Sequence, residues 1–194
     1  MYESLLQHVS RRIRLDKAEE DFFISVIKHQ KLRKKQFFTQ AGEVCKYSGY
    51  VLKGCLRTYE VDKDGNEHIL QFSIEDWWVG DLYSFFTGTP SRYFVDALEP
   101  TELALIDLAS QELLYEKVPK FERYFRLLVQ NAFVASQRRV VSAISKPAEE
   151  RYLEFHKRYP TLEQRIPQHQ IASYLGITPE SLSRIRKQLS NRKP

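Results

Sequence analysis

The hydrophobic positions change period twice along the chain. Over residues 1–28 they recur at helical spacing. Leu5, Leu6, Val9 and Ile13 form one stripe, and Asp16 stands where an N-cap would open a second helix carrying Phe22, Phe23, Val26 and Ile27. From Lys31 to Asp107 short β-prone runs take over: KQFF, YSGYVLKG, CLRTYEV, HILQFS, RYFVDAL and TELALIDL. Turn signals separate them at Ala41-Gly42, Asp64-Gly65-Asn66 and Gly88-Thr89-Pro90. Short strands at regular spacing predict an antiparallel barrel or sandwich.

Helical spacing returns at Ala109–Lys117, stops at Val118-Pro119, and resumes from Lys120 to about Ser145. Phe121, Phe125, Leu128, Ala132, Ala135 and Val140 make one series, with Leu127, Val129, Phe133, Val134, Val141 and Ile144 between them. A helix of about 26 residues reaches roughly 39 Å, longer than a small barrel, and it is apolar on more than one face. A long core helix is one reading; a helix that pairs with a second subunit accounts better for the length. Pro147 punctuates, and Ala148 to Tyr159 reads as another helix.

The stretch QHQIASYLGITPESLSRIRKQL, Gln168 to Leu189, holds two short helical patterns broken at Gly176. Ile171 and Leu175 point one way and Ala172 is small where a second helix would cross. Gly176 supplies the left-handed turn, Ile177 plugs the corner, Thr178 caps, and Pro179 suits a first helical position. On the second helix Leu182, Ile185 and Leu189 share the inner face. Glu180, Arg184, Lys187 and Asn191 lie opposite, flanked by Ser181 and Ser183. This is helix-turn-helix spacing with a recognition helix for the DNA major groove. Arg184 suits guanine and Glu180 the cytosine amino group. Arg186, Lys187, Arg192 and Lys193 suit phosphates, as do the free amides at Gln168, which opens the first helix.

Charge sharpens this picture. The net charge is +5, and no acid follows Glu180, so the basic excess gathers near the C-terminus, as contact with a polyanion requires. No apolar run approaches the roughly 18 residues of a membrane span, and MYESLLQHVSRRIRLDK does not read as a secretory signal. Cys45 and Cys55 are the only cysteines and form no CxxC pair, which fits a reducing cytoplasm and argues against a disulfide framework or zinc site.

From the leading helices to the tail the chain resembles the Crp/Fnr family of transcription regulators. The resemblance is carried most specifically by IPQHQIASYLGITPESLSRIRKQL, and also by GYVLKGCLRTYEVDKDGNEHILQF and VGDLYSFFTG. It implies an α+β chain in three parts. Residues 1–118 would be a cyclic-nucleotide-binding-like sensor, an antiparallel β-barrel of double-stranded β-helix or jelly-roll type with flanking helices. Residues 119–146 would be a dimerisation helix, and 147–194 a winged helix-turn-helix domain. The expected partners are double-stranded DNA, a second copy of the chain, RNA polymerase and a small effector, with no membrane. Glu180 and Arg184 match the family's base-reading pair, while Pro179 stands where a further Arg often precedes the Glu.

For the effector, Gly80-Asp81-Leu82 resembles the family's Gly-Glu-Leu phrase, and Ser91-Arg92 falls, reversed, where the family has its phosphate-binding Arg-Ser. A one-residue shift on a strand sends a side chain to the opposite face. Cyclic AMP or cyclic GMP, another small effector, and no ligand therefore all stay open. Iron–sulfur sensing lacks its N-terminal cysteines; Cys45 and Cys55 read as buried small hydrophobes. His68 is a haem ligand by residue type only, and Trp77-Trp78 reads as a pocket wall or a hydrophobic plug. No catalytic site emerges. His68 is the only histidine between Lys31 and Asp107, and GxSxG, P-loop and His–Cys patterns are missing, so an enzyme is not expected. The remaining rival is a sensing module whose C-terminal helices hold a protein partner instead of DNA.

Overall fold

The computed structural model describes residues 1–191, so Arg192 and Lys193, expected among the phosphate contacts, lie outside the described residues. The chain divides into two compact units. One comprises Met1–Glu60 and Gln71–Gln130; the other comprises Val61–Leu70 and the chain from Asn131 on.

The first unit is built on two four-stranded antiparallel sheets, jelly-roll-like rather than closed into one barrel. One sheet runs β1 (Lys28–Leu32), β8 (Thr101–Asp107), β3 (Tyr47–Lys53), β6 (Trp78–Val79). The other runs β2 (Phe37–Thr39), β7 (Phe94–Ala97), β4 (Leu56–Val61), β5 (Glu67–Ser73). Strand β1 begins earlier than its composition suggests. KHQKL has no apolar run, and it is a strand because it pairs with β8 from Lys28↔Leu105 to Leu32↔Thr101. Its lysines suit an edge strand, where charge discourages further pairing. Gly54, at the β3–β4 corner, has φ +101°, and a Cβ there would sit 2.7 Å from Thr101 Cα and 2.8 Å from the Pro100 carbonyl oxygen. Only glycine fits.

Period-two alternation gives the first sheet two buried faces. Val51, Leu103, Leu105 and Val79 meet Leu56, Val95 and Ala97 of the second sheet, so the space between the sheets is filled by aliphatic side chains. On the other face Tyr50, Ala104 and Ile106 carry a helical layer. That layer comprises α1 (Glu3–Ser10), α2 (Lys17–Ser25), α4 (Leu108–Lys117) and the start of α5 (Lys120–Ser145). Asp16 caps α2 as expected, within a capping box: its Oδ1 accepts from Glu19 N at 2.9 Å and its N donates to Glu19 Oε2 at 2.8 Å. The short helix α3 (Leu82–Thr87) lies in VGDLYSFFTG, after β6.

A buried polar chain pins α1 to α5. Trp78 Nε1 donates to Tyr124 Oη at 2.9 Å, and Tyr124 Oη lies 2.8 Å from His8 Nδ1. Arg12 Nη1 lies 3.2 Å from His8 Nε2 and can only donate, which makes Nε2 the acceptor and puts the imidazole proton on Nδ1. Trp78 therefore faces the helical layer, the plug reading, and not the space between the sheets. Burial and then Arg12 lower the pKa of His8 to about 4, so it is neutral in the native state. The unfolded chain takes up this proton near pH 6.5 and the native state only near pH 4. Stability should therefore be flat in this respect above pH 7 and fall as pH drops from 6.5 towards 4. Urea unfolding across that range checks it; the fall should be shallower in His8→Gln.

The second unit is helical apart from its Val61–Leu70 segment: the rest of α5, then α6 (Ala148–Arg158), a 3₁₀ turn at Leu162–Gln164, α7 (Gln168–Leu175) and α8 (Pro179–Asn191). The two-stranded wing of the expected winged domain is not among the described residues. Between α6 and α7 the chain makes the 3₁₀ turn around fully buried Leu162. The β4–β5 turn forms at Asp64-Gly65-Asn66 as expected, held by Asp62 Oδ1, which accepts from Asp64 N and Asn66 N at 2.9 Å each. His68 is spent on this turn, 2.7 Å from Asp62 Oδ2. Ser173 of α7 fixes the hairpin by donating to the Glu67 carbonyl at 2.7 Å and accepting from Ile69 N at 3.1 Å.

Candidate nucleic-acid interface and sensor residues

Helices α7 and α8 form the anticipated pair. Gly176 has φ 64° and ψ 39°, and the α7 terminus closes with Ile177 N bonding Ala172 O at 3.0 Å and Gly176 N bonding Ser173 O at 3.0 Å. That double closure is the Schellman arrangement, which only an αL residue permits cheaply. Ala172 and Ile171 are fully buried at the crossing; Leu182 is fully buried and Ile185 nearly so from the other side. Leu189 is half-buried. Tyr152 and Phe155 of α6, with Tyr159 and Leu162 after it, complete this small core.

Because the inner face is held, the outer one is presented. Glu180, Ser183, Arg184, Lys187 and Asn191 are all exposed, and Gln168 is exposed at the α7 N-terminus, where no side chain caps the helix. Thr178 Oγ1 accepts from Ser181 N at 3.2 Å, so Thr178 is the cap of α8; Arg184 Nη2 in turn donates to Ser181 Oγ at 3.2 Å. Hydrogen bonds from its own amide and from Thr178, with the Arg184 charge nearby, hold the Glu180 carboxyl below the usual range, so it is ionised. Arg186 is less exposed than the residues of the outer row. It is half-buried, and its charge acts on the Tyr152 phenol, which burial and Glu163 push up to about 12.

The sensor residues come together only in part. Asp81 is buried and caps α3: Oδ1 accepts from Tyr83 N at 3.1 Å and Ser84 N at 3.3 Å, while Oδ2 accepts from Ser91 Oγ at 2.8 Å. Gly80 precedes this cap and Leu82 turns to the surface. Arg92 leaves the group. It is exposed, and its Nη2 donates to Glu60 Oε1 at 2.9 Å. Ser91 and Arg92 lie in the connection before β7 (Phe94–Ala97), with Ser91 buried and Arg92 at the surface. The buried arginine of the jelly roll is Arg57, which sequence reasoning missed. Its Nε donates to Asp96 Oδ1 at 2.7 Å and its Nη2 to Asp96 Oδ2 at 3.2 Å. Arg57 and Asp96 are direct cross-strand partners on β4 and β7, alternating with Leu56 and Ala97 of the inter-sheet core, so the pair lies on the outer face of that sheet. Asp81→Ala removes a cap and a buried acceptor together and should cost about 1–3 kcal/mol in urea unfolding, with Asp81→Asn costing less.

Both cysteines are buried. Among the described residues no group of three His, Cys, Asp or Glu side chains could hold a metal ion, and no helix is long and apolar enough to cross a membrane. On α5 burial ends midway. Phe121, Tyr124 and Phe125 are buried, whereas Val129, Phe133, Val140 and Ile144 are 42%, 63%, 53% and 81% exposed.

A jelly roll, a long helix that leaves an apolar stripe of its second half exposed, and a helix-turn-helix are the parts of a one-chain transcription regulator. Comparison with known proteins agrees. Residues 29–117 match the cyclic nucleotide-binding domain family. The fumarate and nitrate reduction regulatory protein of Vibrio cholerae is 27% identical over 185 residues, covering 88% of this chain and 72% of that protein. The structure of FixK2 from Bradyrhizobium japonicum superposes with a TM-score of 0.73 at 22% identity over 86% of each chain. That of CLP from Xanthomonas campestris, described as a c-di-GMP-responsive global regulator, gives 0.70 at 16% identity over 91% of this chain and 92% of that one. The two structures establish the shared fold. The chain is similar along most of its length to DNA-binding transcription regulators of the Crp/Fnr family, and its residues 29–117 match their cyclic nucleotide-binding domain.

Proposed function

We propose that the chain acts as a homodimer on a roughly palindromic operator, with 1–118 as sensor, 119–146 as dimerisation helix and 147–194 as DNA-binding domain. The observation that carries this is the outer ridge of α8, where Glu180, Ser183, Arg184 and Lys187 stand exposed over buried Leu182 and Ile185. Glu180 and Arg184 read base edges, with Ser181 and Thr178 behind them; Lys187 and the amides at Gln168 hold phosphates. Two such ridges, joined through α5, would meet successive major grooves. The role is regulatory and not catalytic, exercised in the cytoplasm and passed on to RNA polymerase.

A small effector controls it. The matched cyclic nucleotide-binding domain is the expected sensor, but cyclic AMP or GMP would need Arg92 to leave Glu60 and Asp81 to leave Ser91 and two α3 amides. An effector of another kind fits this arrangement better.

Duplex binding followed by fluorescence anisotropy against salt tests the reading. Contact with four to eight phosphates per dimer gives a slope of log Kobs against log salt of about −4 to −7, with two chains per duplex. A slope near zero would point to a protein partner and overturn it.

A further inference from the structure

We propose that the cavity between the second half of α5, α6 and α7 is a binding site for a small organic polyanion, of which a phosphate ester is the best chemical match. The cavity has a volume of about 870 Å³, and ligand pockets usually fall between roughly 300 and 1,000 Å³. Five cationic side chains line it, Arg138, Arg139, Lys146, Arg151 and Arg158, against one carboxylate, Glu154. Glu154 is already engaged, accepting from Ser142 Oγ at 2.7 Å and paired with Lys146. The guanidinium groups thus share a concave space in which no second carboxylate is present among the described residues.

Helix geometry makes the space and gathers the charge. Arg138 and Ser142, four apart, share one face of α5, and Lys146 follows directly after its last residue; Arg151 and Arg158, seven apart, share a face of α6. Ala135 and Ser142 on the α5 face are too small to fill the gap. Two of the cations are positioned by groups that carry no charge. Arg139 lies 5.4 Å over the Tyr174 ring, and Arg151 Nη1 donates to the Ala143 carbonyl at 3.2 Å while its buried Nε has no acceptor among the described residues. Forks held in this way are prepared for a phosphate, which takes two N–H bonds from one guanidinium and supplies the missing counter-charge.

This site is separate from the surfaces already described. At ~100° per residue, Val129, Phe133, Val140 and Ile144 fall within about 60° of one another, while Ala135, Arg138 and Ser142 centre on the opposite side of α5. A partner helix on the apolar stripe would leave the cavity open. A ligand joining Arg138 of α5 to Arg151 and Arg158 of α6 would fix the angle between those helices, and so bias where α7 and α8 are carried.

The test uses the full chain, freed of nucleic acid, titrated calorimetrically with two probes, inorganic pyrophosphate and adenosine monophosphate. At least one should bind the wild type. Arg138→Gln, at an exposed position, should weaken it at least about 10-fold, and Arg138→Gln/Arg139→Gln further. Arg184→Ala and Arg92→Ala should bind like the wild type, which separates this site from the recognition ridge and from the jelly roll. Absence of binding by both probes, equal binding by Arg138→Gln, or loss of binding in Arg92→Ala would each overturn the proposal. If Arg138→Gln instead weakens duplex binding uniformly and neither probe binds, the cations are backbone contacts to DNA and the polyanion site is excluded.

Discussion

Arg184→Ala is expected to weaken operator binding by about 30-fold to more than 10⁴-fold while leaving non-specific duplex affinity nearly unchanged. A bidentate arginine–guanine pair is worth about 1–3 kcal/mol of discrimination, and a dimer loses it twice, giving about 2–6 kcal/mol. The local structure explains why the loss should be clean. Arg184 is exposed, makes one hydrogen bond to Ser181 Oγ, and lies one turn from ionised Glu180, so its removal empties no core space. Lys187→Ala provides the contrast. A phosphate contact carries no sequence information, so that variant should weaken specific and non-specific duplexes alike and make the salt slope shallower by about one per protomer. Anisotropy titrations with a palindromic operator and a scrambled duplex separate the two effects. Equal operator binding by Arg184→Ala and the wild type would remove this residue from base reading.

The recognition helix was legible because its determinants are local. Gly176 ends one helix, Thr178 caps the next, and Leu182 and Ile185 lie on one face whatever the rest of the chain does. The same holds for the Asp16 cap and the Asp64-Gly65-Asn66 turn. What escaped the sequence depends on partners brought together from afar. His8 meets Tyr124 across 116 positions, and Arg57 meets Asp96 across 39. No periodicity encodes either meeting, because strand register and helix packing create them. Asp81 shows an intermediate case. The phrase Gly-Asp-Leu is readable in the sequence, but that its carboxylate caps α3 and accepts from Ser91 at 2.8 Å is not.

Phe133→Glu/Val140→Glu should convert the dimer to monomer at micromolar concentration, with the fold of each unit intact. Val129, Phe133, Ser136, Val140 and Ala143 step by four, three, four and three residues, the spacing of a two-stranded coiled-coil seam, and the large members are exposed in the single chain. Covering a Phe or Val is worth about 1.5–3 kcal/mol, and an unpaired carboxylate forced into such a seam costs several more. Four substituted positions per dimer therefore exceed about 6 kcal/mol, more than 10⁴-fold in dimer affinity. Phe133 and Val140 are exposed before association, so their replacement leaves the buried Phe121, Tyr124 and Phe125 undisturbed. Asn131→Glu, on the far side of α5, should remain dimeric and so exclude a general effect of added charge. Ser136 places a polar position at the middle of the seam, a device that favours one register at some expense in stability; Ser136→Val should tighten the dimer. Light scattering coupled to size exclusion reads all three variants. A persistent dimer in the double-glutamate variant would put the subunit interface elsewhere. The monomer it predicts has one ridge, engages a half-site alone, and should lose about half of the operator binding free energy.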